Sequence, residues 1–325
     1  MDRIKVALVG CGYWGKKLLR VLHEVPEVDV KRVVDVNPEA VEEVKERYPG
    51  VLFSQNLEDI LKDDEIHAVL VATPVKEHYP IARELILSGK DVFIEKPFTY
   101  TSQEAEELVR LAEERERIIM VGHTYQYSPR VRKIKELLKE DEMGKPVYIT
   151  SRRMNLGIHR YDVNVIWDLA PHDLSILYFL LEEEPEKVNL ITRSLAIENH
   201  PDVAFIGLEF PSGTIAHVEL SWVAPLKVRD MVIVCEKKMI VYRDTEPQEP
   251  VRVYDKGVEK SFREENWYLT YRMGSSYAPY IPPREPLRVE MEEFVECVSN
   301  RKKPLSDGRM GLAIVRMMEK IEGRC

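Results

Sequence analysis

The chain opens with Ile4-Lys5-Val6-Ala7-Leu8-Val9, a nearly unbroken apolar run that stops at Gly10. An apolar run of strand length without alternation predicts a parallel strand buried on both faces. Helical periodicity follows from Tyr13 to about Val25, and a second strand runs from Val30 to Val36. The alternation continues through strand His67 to Ala72, helix Lys76 to Ser88, strand Asp91 to Ile94, helix Ser102 to Arg115 and strand Ile118 to Val121. Repeated strand–helix units with short loops predict a doubly wound parallel sheet in an N-terminal domain over residues 1–122.

After about residue 145 the pattern changes. Pro146 to Arg153 reads as a strand and Ile166 to Leu181 as an amphipathic helix. Strands then follow without helices between them: Lys187 to Ala196, Val203 to Phe210, Thr214 to Trp222, Arg229 to Cys235, Lys238 to Tyr242 and Val251 to Tyr254. Pro211-Ser212-Gly213 is a hairpin turn between two of them. This half, residues 123–325, is expected to be an α/β domain built on a large, mostly antiparallel open sheet, with one face for helices and one for a partner subunit. Segment 261–286, with Trp267, Tyr268, Tyr271, Tyr277, Tyr280 and four prolines, reads as a long ordered loop. Two helices close the chain, Leu287 to Ser299 and Asp307 to Ile321.

The strand ends carry the chemistry. Gly10-x-Gly12-x-x-Gly15 lies between the first strand and the first helix. In that position the first glycine permits the tight turn, the second lets the backbone approach a pyrophosphate, and the third allows close helix–strand packing. The helix N-terminus then faces the phosphates. Asp35, twenty residues beyond Gly15, sits where a carboxylate accepts hydrogen bonds from the adenosine ribose. It would repel a 2′-phosphate, and no arginine follows it, so NAD is favoured over NADP. Thr73-Pro74, Glu95-Lys96-Pro97 and Gly122-His123 fall at the carboxyl ends of later strands. Gly10, Gly12, Tyr13, Trp14, Gly15, Asp35, Thr73, Pro74, Glu95 and Lys96 are the expected cofactor contacts.

Asp168 and His172 are one helical turn apart. A lysine, a carboxylate and an imidazole are the groups that take a proton from an alcohol while a hydride leaves its carbon. Lys96 would steady the substrate oxygen. His172 would act as general base with Asp168 as its orienter or a second substrate contact, and Lys96 with its pKa lowered by burial is an alternative base. His123 and Tyr127 could border the nicotinamide or serve the fold. Arg152, Arg153, Asn155, Arg160 and Asn164 form a polar cluster leading into the catalytic helix. As substrate contacts they would suit a diphosphate or carboxylate, whereas a charged strand face is ordinarily only solvated. His78 and Asp173 read as structural.

Composition narrows the class. The chain is 44% hydrophobic and 32% charged, with no apolar run near the length of a membrane span. A net charge of −9 argues against a nucleic-acid partner. Met1-Asp2-Arg3 leads straight into a strand pattern, so no secretory leader is expected and a cytoplasmic enzyme is the default. Cys11, Cys235, Cys297 and Cys325 lack metal or redox spacing and are expected to be buried thiols; no metal site is expected. Only four Gln and eight Asn against abundant Glu, Lys and Arg fits a thermophilic source.

Four features together resemble the Gfo/Idh/MocA family across essentially the whole chain: the glycine motif, Ala72-Thr73-Pro74 with His78 nearby, Glu95-Lys96-Pro97, and Asp168-x-x-x-His172-Asp173. The resemblance implies a Rossmann domain, a C-terminal open-sheet domain packed sheet to sheet in homodimers or homotetramers, and oxidation of a ring hydroxyl of a sugar, cyclitol or nucleotide sugar. It maps the family's catalytic lysine to Lys96 and its Asp/His pair to Asp168 and His172. Gly12-Tyr13-Trp14-Gly15, Arg153 to Gly157, Asp162-Val163-Asn164 and Ser221 to Arg229 resemble a branch acting at C3 of UDP-N-acetylglucosamine or its uronic acid. Free-sugar or inositol oxidation, glycoside hydrolysis through transient C3 oxidation with retained NAD, and a non-catalytic NAD-binding regulator are the competing functions. The intact Lys96, Asp168 and His172 argue against the last.

Overall fold

A computed structural model describes residues 3–157, 159–263 and 266–324. Met1, Asp2 and Cys325, on which the leader and thiol expectations partly rest, lie outside the described residues. The chain forms two compact units, Met1–Ser128 with Arg284–Arg316, and Pro129–Pro283 with Met317–Cys325.

The first unit follows the predicted alternation: β1 (Ile4–Val9), α1 (Tyr13–Glu24), β2 (Val28–Val34), α2 (Pro38–Lys45), β3 (Leu52–Ser54), α3 (Glu58–Leu61), β4 (Ala68–Val71), α4 (Val75–Leu87), β5 (Asp91–Glu95), α5 (Ser102–Glu114) and β6 (Ile119–Gly122). All strands pair in parallel in the order β3-β2-β1-β4-β5-β6. Every residue of β4, β5 and β6 is buried, as the unbroken apolar runs require of strands covered on both faces. The sheet changes its direction of growth between β1 and β4, which sets a crevice for ligands at the carboxyl ends of those strands. Thr101 and Glu104 cap α5 reciprocally, a signal readable in Thr101-Ser102-Gln103-Glu104 itself.

The second unit contains α6 (Pro129–Leu138), β7 (Pro146–Leu156), α7 (Val165–Leu181), β8 (Lys187–Arg193), β9 (Val203–Glu209), β10 (Ile215–Ser221), β11 (Val223–Cys235), β12 (Met239–Arg243), β13 (Val251–Arg263) and β14 (Asn266–Tyr277). They build one sheet in the order β14-β13-β12-β11-β7-β10-β9-β8. Its neighbours are antiparallel except β10 beside β7. Alternate residues of β9 and β10, among them Ala204, Ile206, Ala216 and Val218, are buried on the side where α7 packs. Phe205 and Ile215 on the other side are exposed.

Two expectations are corrected here. The segment expected as a loop holds most of a hairpin of β13 and β14, with Trp267 paired to Phe262 and Tyr271 to Val258. Aromatic and β-branched residues favour a pleated strand. The four prolines all fall after Tyr277, so averaging over the segment hid the strand. The domain boundary expected at 122/123 also differs from the observed division, because α8 (Pro286–Asn300) and the first turns of α9 (Gly308–Ile321) belong with the first unit. Leu287, Met291, Phe294, Val295 and Val298 of α8 join the core that contains Leu8, Leu18, Phe93, Met120 and Tyr127. The Phe294 ring meets Phe93 edge to face at 5.7 Å.

Phe294→Ala should lower the urea-unfolding free energy by about 3–5 kcal/mol, the cost of emptying a closed aromatic site. A loss below about 1 kcal/mol would mean that α8 does not complete that core.

Candidate active site

In the first unit the turn after β1 leaves no room for side chains at two of its three glycines. Gly10 has φ +91°, and a Cβ there would lie 2.5 Å from the Ala72 carbonyl oxygen. A Cβ on Gly15 would lie 2.0 Å from the Gly10 carbonyl oxygen. Gly12 is different: a Cβ would meet nothing within 4 Å. That open space lies at the N-terminus of α1, which has no side-chain cap, so the positive dipole end is available to a phosphate. Tyr13 and Trp14 open the helix, both exposed, with the Lys17 ammonium over each ring.

Asp35 follows β2. Its carboxylate accepts from the Cys11 and Asn37 backbone N–H groups, so it both holds the glycine turn and places a negative charge beside it. His78 is buried with its ring nitrogens 2.8 and 2.9 Å from the carbonyls of Thr73 and Pro97, tying the turn after β4 to the turn after β5. Pro74 is the N-cap of α4, and the buried Thr73 hydroxyl has no hydrogen-bond partner among the described residues. The glycine cradle, the open helix end and the carboxylate at Asp35 fit a dinucleotide without a 2′-phosphate.

The Glu95-Lys96-Pro97 segment leaves the end of β5. Glu95, an expected cofactor contact, is buried, with Oε2 accepting from the Lys96 backbone N–H. Burial pushes its carboxyl up to about 7, against the opposing pull of the Lys96 charge. Lys96 itself is half-buried. His123, expected at the nicotinamide, is buried at the end of β6 and held neutral, its pKa pushed down to about 3 by burial and the Lys96 charge. Tyr127 is fully buried, its hydroxyl 2.7 Å from the Ser306 Oγ and accepting from the Ser306 N–H, which makes it a core residue.

In the second unit, α7 presents the Asp/His pair. Asn164 caps it, with Oδ1 accepting from the Ile166 and Trp167 N–H groups while Nδ2 donates to Glu322. Most of the helix is buried, yet Asp168 and His172 are only half-buried. Trp222 Nε1–H donates to Asp168 Oδ2 at 3.2 Å, and Arg160 Nη1 lies 3.6 Å from Oδ1. The Trp222 indole is buried between His159, edge to face at 5.4 Å, and His200 at 6.1 Å. Sequence spacing does not reveal the Trp222 contact, since the indole and Asp168 are 54 residues apart.

The polar cluster expected to bind substrate divides on inspection. Arg153 is buried and forks onto Asp173 (Nε to Oδ2, 2.6 Å), whose Oδ1 also accepts from Ser151 Oγ at 2.7 Å. Two charges inside the protein must satisfy each other, so Arg153 is a packing group here. Asn164 is a helix cap. Arg152 is bidentate to Asp230 and Arg160 to Asp162. Asn155 is half-buried beside Gly157. Cys11, Cys235 and Cys297 are buried and unpaired. Among the described residues no helix is long and apolar enough to cross a membrane.

Residues 4–123 match the family model described as "Oxidoreductase family, NAD-binding Rossmann fold", and residues 131–241 match the GFO/IDH/MocA C-terminal domain. The UDP-N-acetylglucosamine 3-dehydrogenase of Acidithiobacillus ferrooxidans is 24% identical over 97% of this chain and 95% of its own. A solved structure of that name from the same organism superposes with a TM-score of 0.85, at 23% identity, over 99% of this chain and 97% of the other. The scyllo-inositol 2-dehydrogenase (NAD(+)) of Bacillus subtilis is 25% identical over 93% of this chain and 88% of its own. GenD2 from gentamicin A biosynthesis, solved in complex with NAD, has a TM-score of 0.83 at 23% identity, over 99% of this chain and 94% of its own.

Gly12→Val should leave the fold intact, since its Cβ meets open space, but raise the Kd for NAD at least about tenfold by filling the phosphate cradle. Isothermal titration checks this. Arg153→Met should cost about 3–5 kcal/mol in urea unfolding, by stranding Asp173 in the interior. A variant of unchanged stability with a raised KM would return Arg153 to the substrate.

Proposed function

The chain belongs to the Gfo/Idh/MocA family of NAD-dependent oxidoreductases, and from that premise we propose that it oxidises a ring hydroxyl of a nucleotide sugar, at C3 of a UDP-N-acetylglucosamine-type substrate. The observation that carries the chemistry is the pair Asp168 and His172, left accessible on a helix that is otherwise mostly buried. The substrate class is supported by the relative matched over nearly the whole of both chains, which carries that activity in its name.

Bound NAD supplies the hydride acceptor. His172 takes the hydroxyl proton. Asp168, held by the Trp222 indole N–H, orients the imidazole and balances the charge that it gains. The Lys96 ammonium donates to the substrate oxygen and favours alkoxide character as the hydride departs. Lys96 could exchange roles with His172 as the base, and the pH profiles of the two variants separate these assignments.

We propose further that the enzyme is cytoplasmic, in keeping with its unpaired buried thiols, and that it is a homodimer or homotetramer. The outward side of the eight-stranded sheet, with Phe205, Ile215 and Tyr148 exposed, is the face that would meet a second copy. Sedimentation velocity that shows only monomer at micromolar concentration would reject the assembly.

The test of function is nicotinamide reduction with a panel of UDP-N-acetylhexosamines, their uronic acids, free sugars and inositols. Turnover is expected with the UDP sugars, and Lys96→Met and His172→Ala should each reduce kcat by roughly 10²–10⁴. Turnover with inositol alone would move the substrate to a cyclitol. Glycoside cleavage without net reduction would move the reaction to hydrolysis, and full activity in both variants would remove them from the mechanism.

A further inference from the structure

The first turn of α7 carries Asp168, and the helix itself secures that turn poorly. Pro171 lies inside α7 and has no N–H to give the Trp167 carbonyl, so one rung of the ladder across Asp168 is missing. What holds the turn instead comes from the end of the chain. Glu322 follows α9 directly, and its N–H still bonds the Met318 carbonyl at 3.1 Å. In the last turn of α9, Lys320 donates at 2.7 Å to the Pro185 carbonyl, a short way past the C-terminus of α7. Both residues lie in the part of the chain that belongs with the second unit.

The Glu322 carboxylate takes two donors from the start of α7. Oε1 accepts from Asn164 Nδ2 at 2.7 Å, and Oε2 from Trp167 Nε1 at 2.8 Å. Arg324 closes the arrangement, with Nη2 2.8 Å from Oε2 and its guanidinium 5.3 Å from the Trp167 ring centroid. Asn164 commits its Oδ1 to the Ile166 and Trp167 N–H groups, which leaves Nδ2 to find an acceptor. The Trp167 indole is buried and can only donate. Two fixed donors require two acceptor oxygens, and a carboxylate has them where an amide has one.

These two residues set Asp168. The Asn164 carbonyl accepts the Asp168 backbone N–H at 3.1 Å, and Trp167 is the preceding residue. The Asp168 carboxylate meets the Trp222 indole N–H at 3.2 Å. That is the long end of N–H···O distances, so a small displacement of the turn loses the bond.

We propose that Glu322 is a positioning residue for Asp168: by holding Asn164 and Trp167 with one carboxylate, it fixes the first turn of α7 and keeps the Asp168 carboxylate against the Trp222 indole. This rests on the reading of Asp168 as the partner of His172 in the reaction. Glu322 acts on that reaction only through the turn.

The experiment compares wild type with Glu322→Gln, Asn164→Asp and the double variant, at about pH 8, above the range in which two facing carboxyls share a proton. Glu322→Gln sets an amide N–H group against one of the two donors. Asn164→Asp keeps the cap but sets a second carboxylate against Glu322. The double variant restores both bonds with one polarity reversed: the amide at position 322 donates to the carboxylate at 164 and accepts from the Trp167 indole. With isotopically labelled tryptophan, the four indole N–H signals are read by NMR in the NAD-bound protein, that of Trp222 being assigned through Trp222→Phe. In each single variant the Trp222 signal should move upfield and exchange faster with solvent, although neither substituted residue is the partner of that indole. In the same variants kcat should fall about 10–100-fold with the Kd for NAD unchanged, and the double variant should return to within about threefold of wild type. A merely structural Glu322 would lower the unfolding midpoint but leave the Trp222 signal and the kcat of the folded enzyme in place, and that result overturns the proposal. So does a double variant as impaired as the single ones. If no sugar is oxidised, the functional reading fails separately, and the Trp222 signals still decide whether Glu322 positions Asp168.

Discussion

The first unit depends on a contact between backbones. At the turn after β1, the Gly10 Cα approaches the Ala72 carbonyl and the Gly15 Cα approaches the Gly10 carbonyl, with no space for a Cβ at either glycine. This closeness seats α1 against the sheet and aims its N-terminus over the strand ends. It also leaves Gly12 facing open space. Asp35 reinforces the arrangement by accepting from the Cys11 N–H, so the carboxylate proposed to meet the nucleotide also shapes the glycine turn. His78 plays a comparable part at the next two strand ends, joining the Thr73 and Pro97 carbonyls through one ring.

Much of this was legible in the sequence, because the physical causes are local. Buried parallel strands need unbroken apolar runs, and β1, β4, β5 and β6 have them. The glycine turn needs glycine where no other residue fits. The Asp168/His172 pair is local too, since one helical turn separates them. The hairpin of β13 and β14 was missed because its strand-forming residues adjoin a proline-rich stretch. Helix α6 was missed beside the change of periodicity. The place of α8 could not be read from order along the chain, since what decides it is the fit of Phe294 against Phe93, 201 residues earlier.

The candidate site was legible in its residue types and less so in their roles. An arginine reads the same whether it waits for a diphosphate or is locked to an aspartate. Partners decide, and the partner of Arg153 is Asp173, while Arg152 is held by Asp230 across neighbouring strands. Burial matters as well: Glu95, His123 and Tyr127, expected at the site by position, are all buried. Trp222 shows the reverse. It has no spacing that announces it, yet its indole N–H holds the carboxylate beside His172.

The return of α8 to the first unit has a consequence for how the protein is made. A chain extending from the ribosome through Pro283 already contains all six strands of the parallel sheet and the whole eight-stranded sheet. It still lacks the apolar face that closes over Phe93 and Met120. The N-terminal unit therefore emerges first and is completed last, after nearly the entire second unit has been synthesised. Throughout that interval its unfinished core is open to the chaperones that recognise nascent apolar surface.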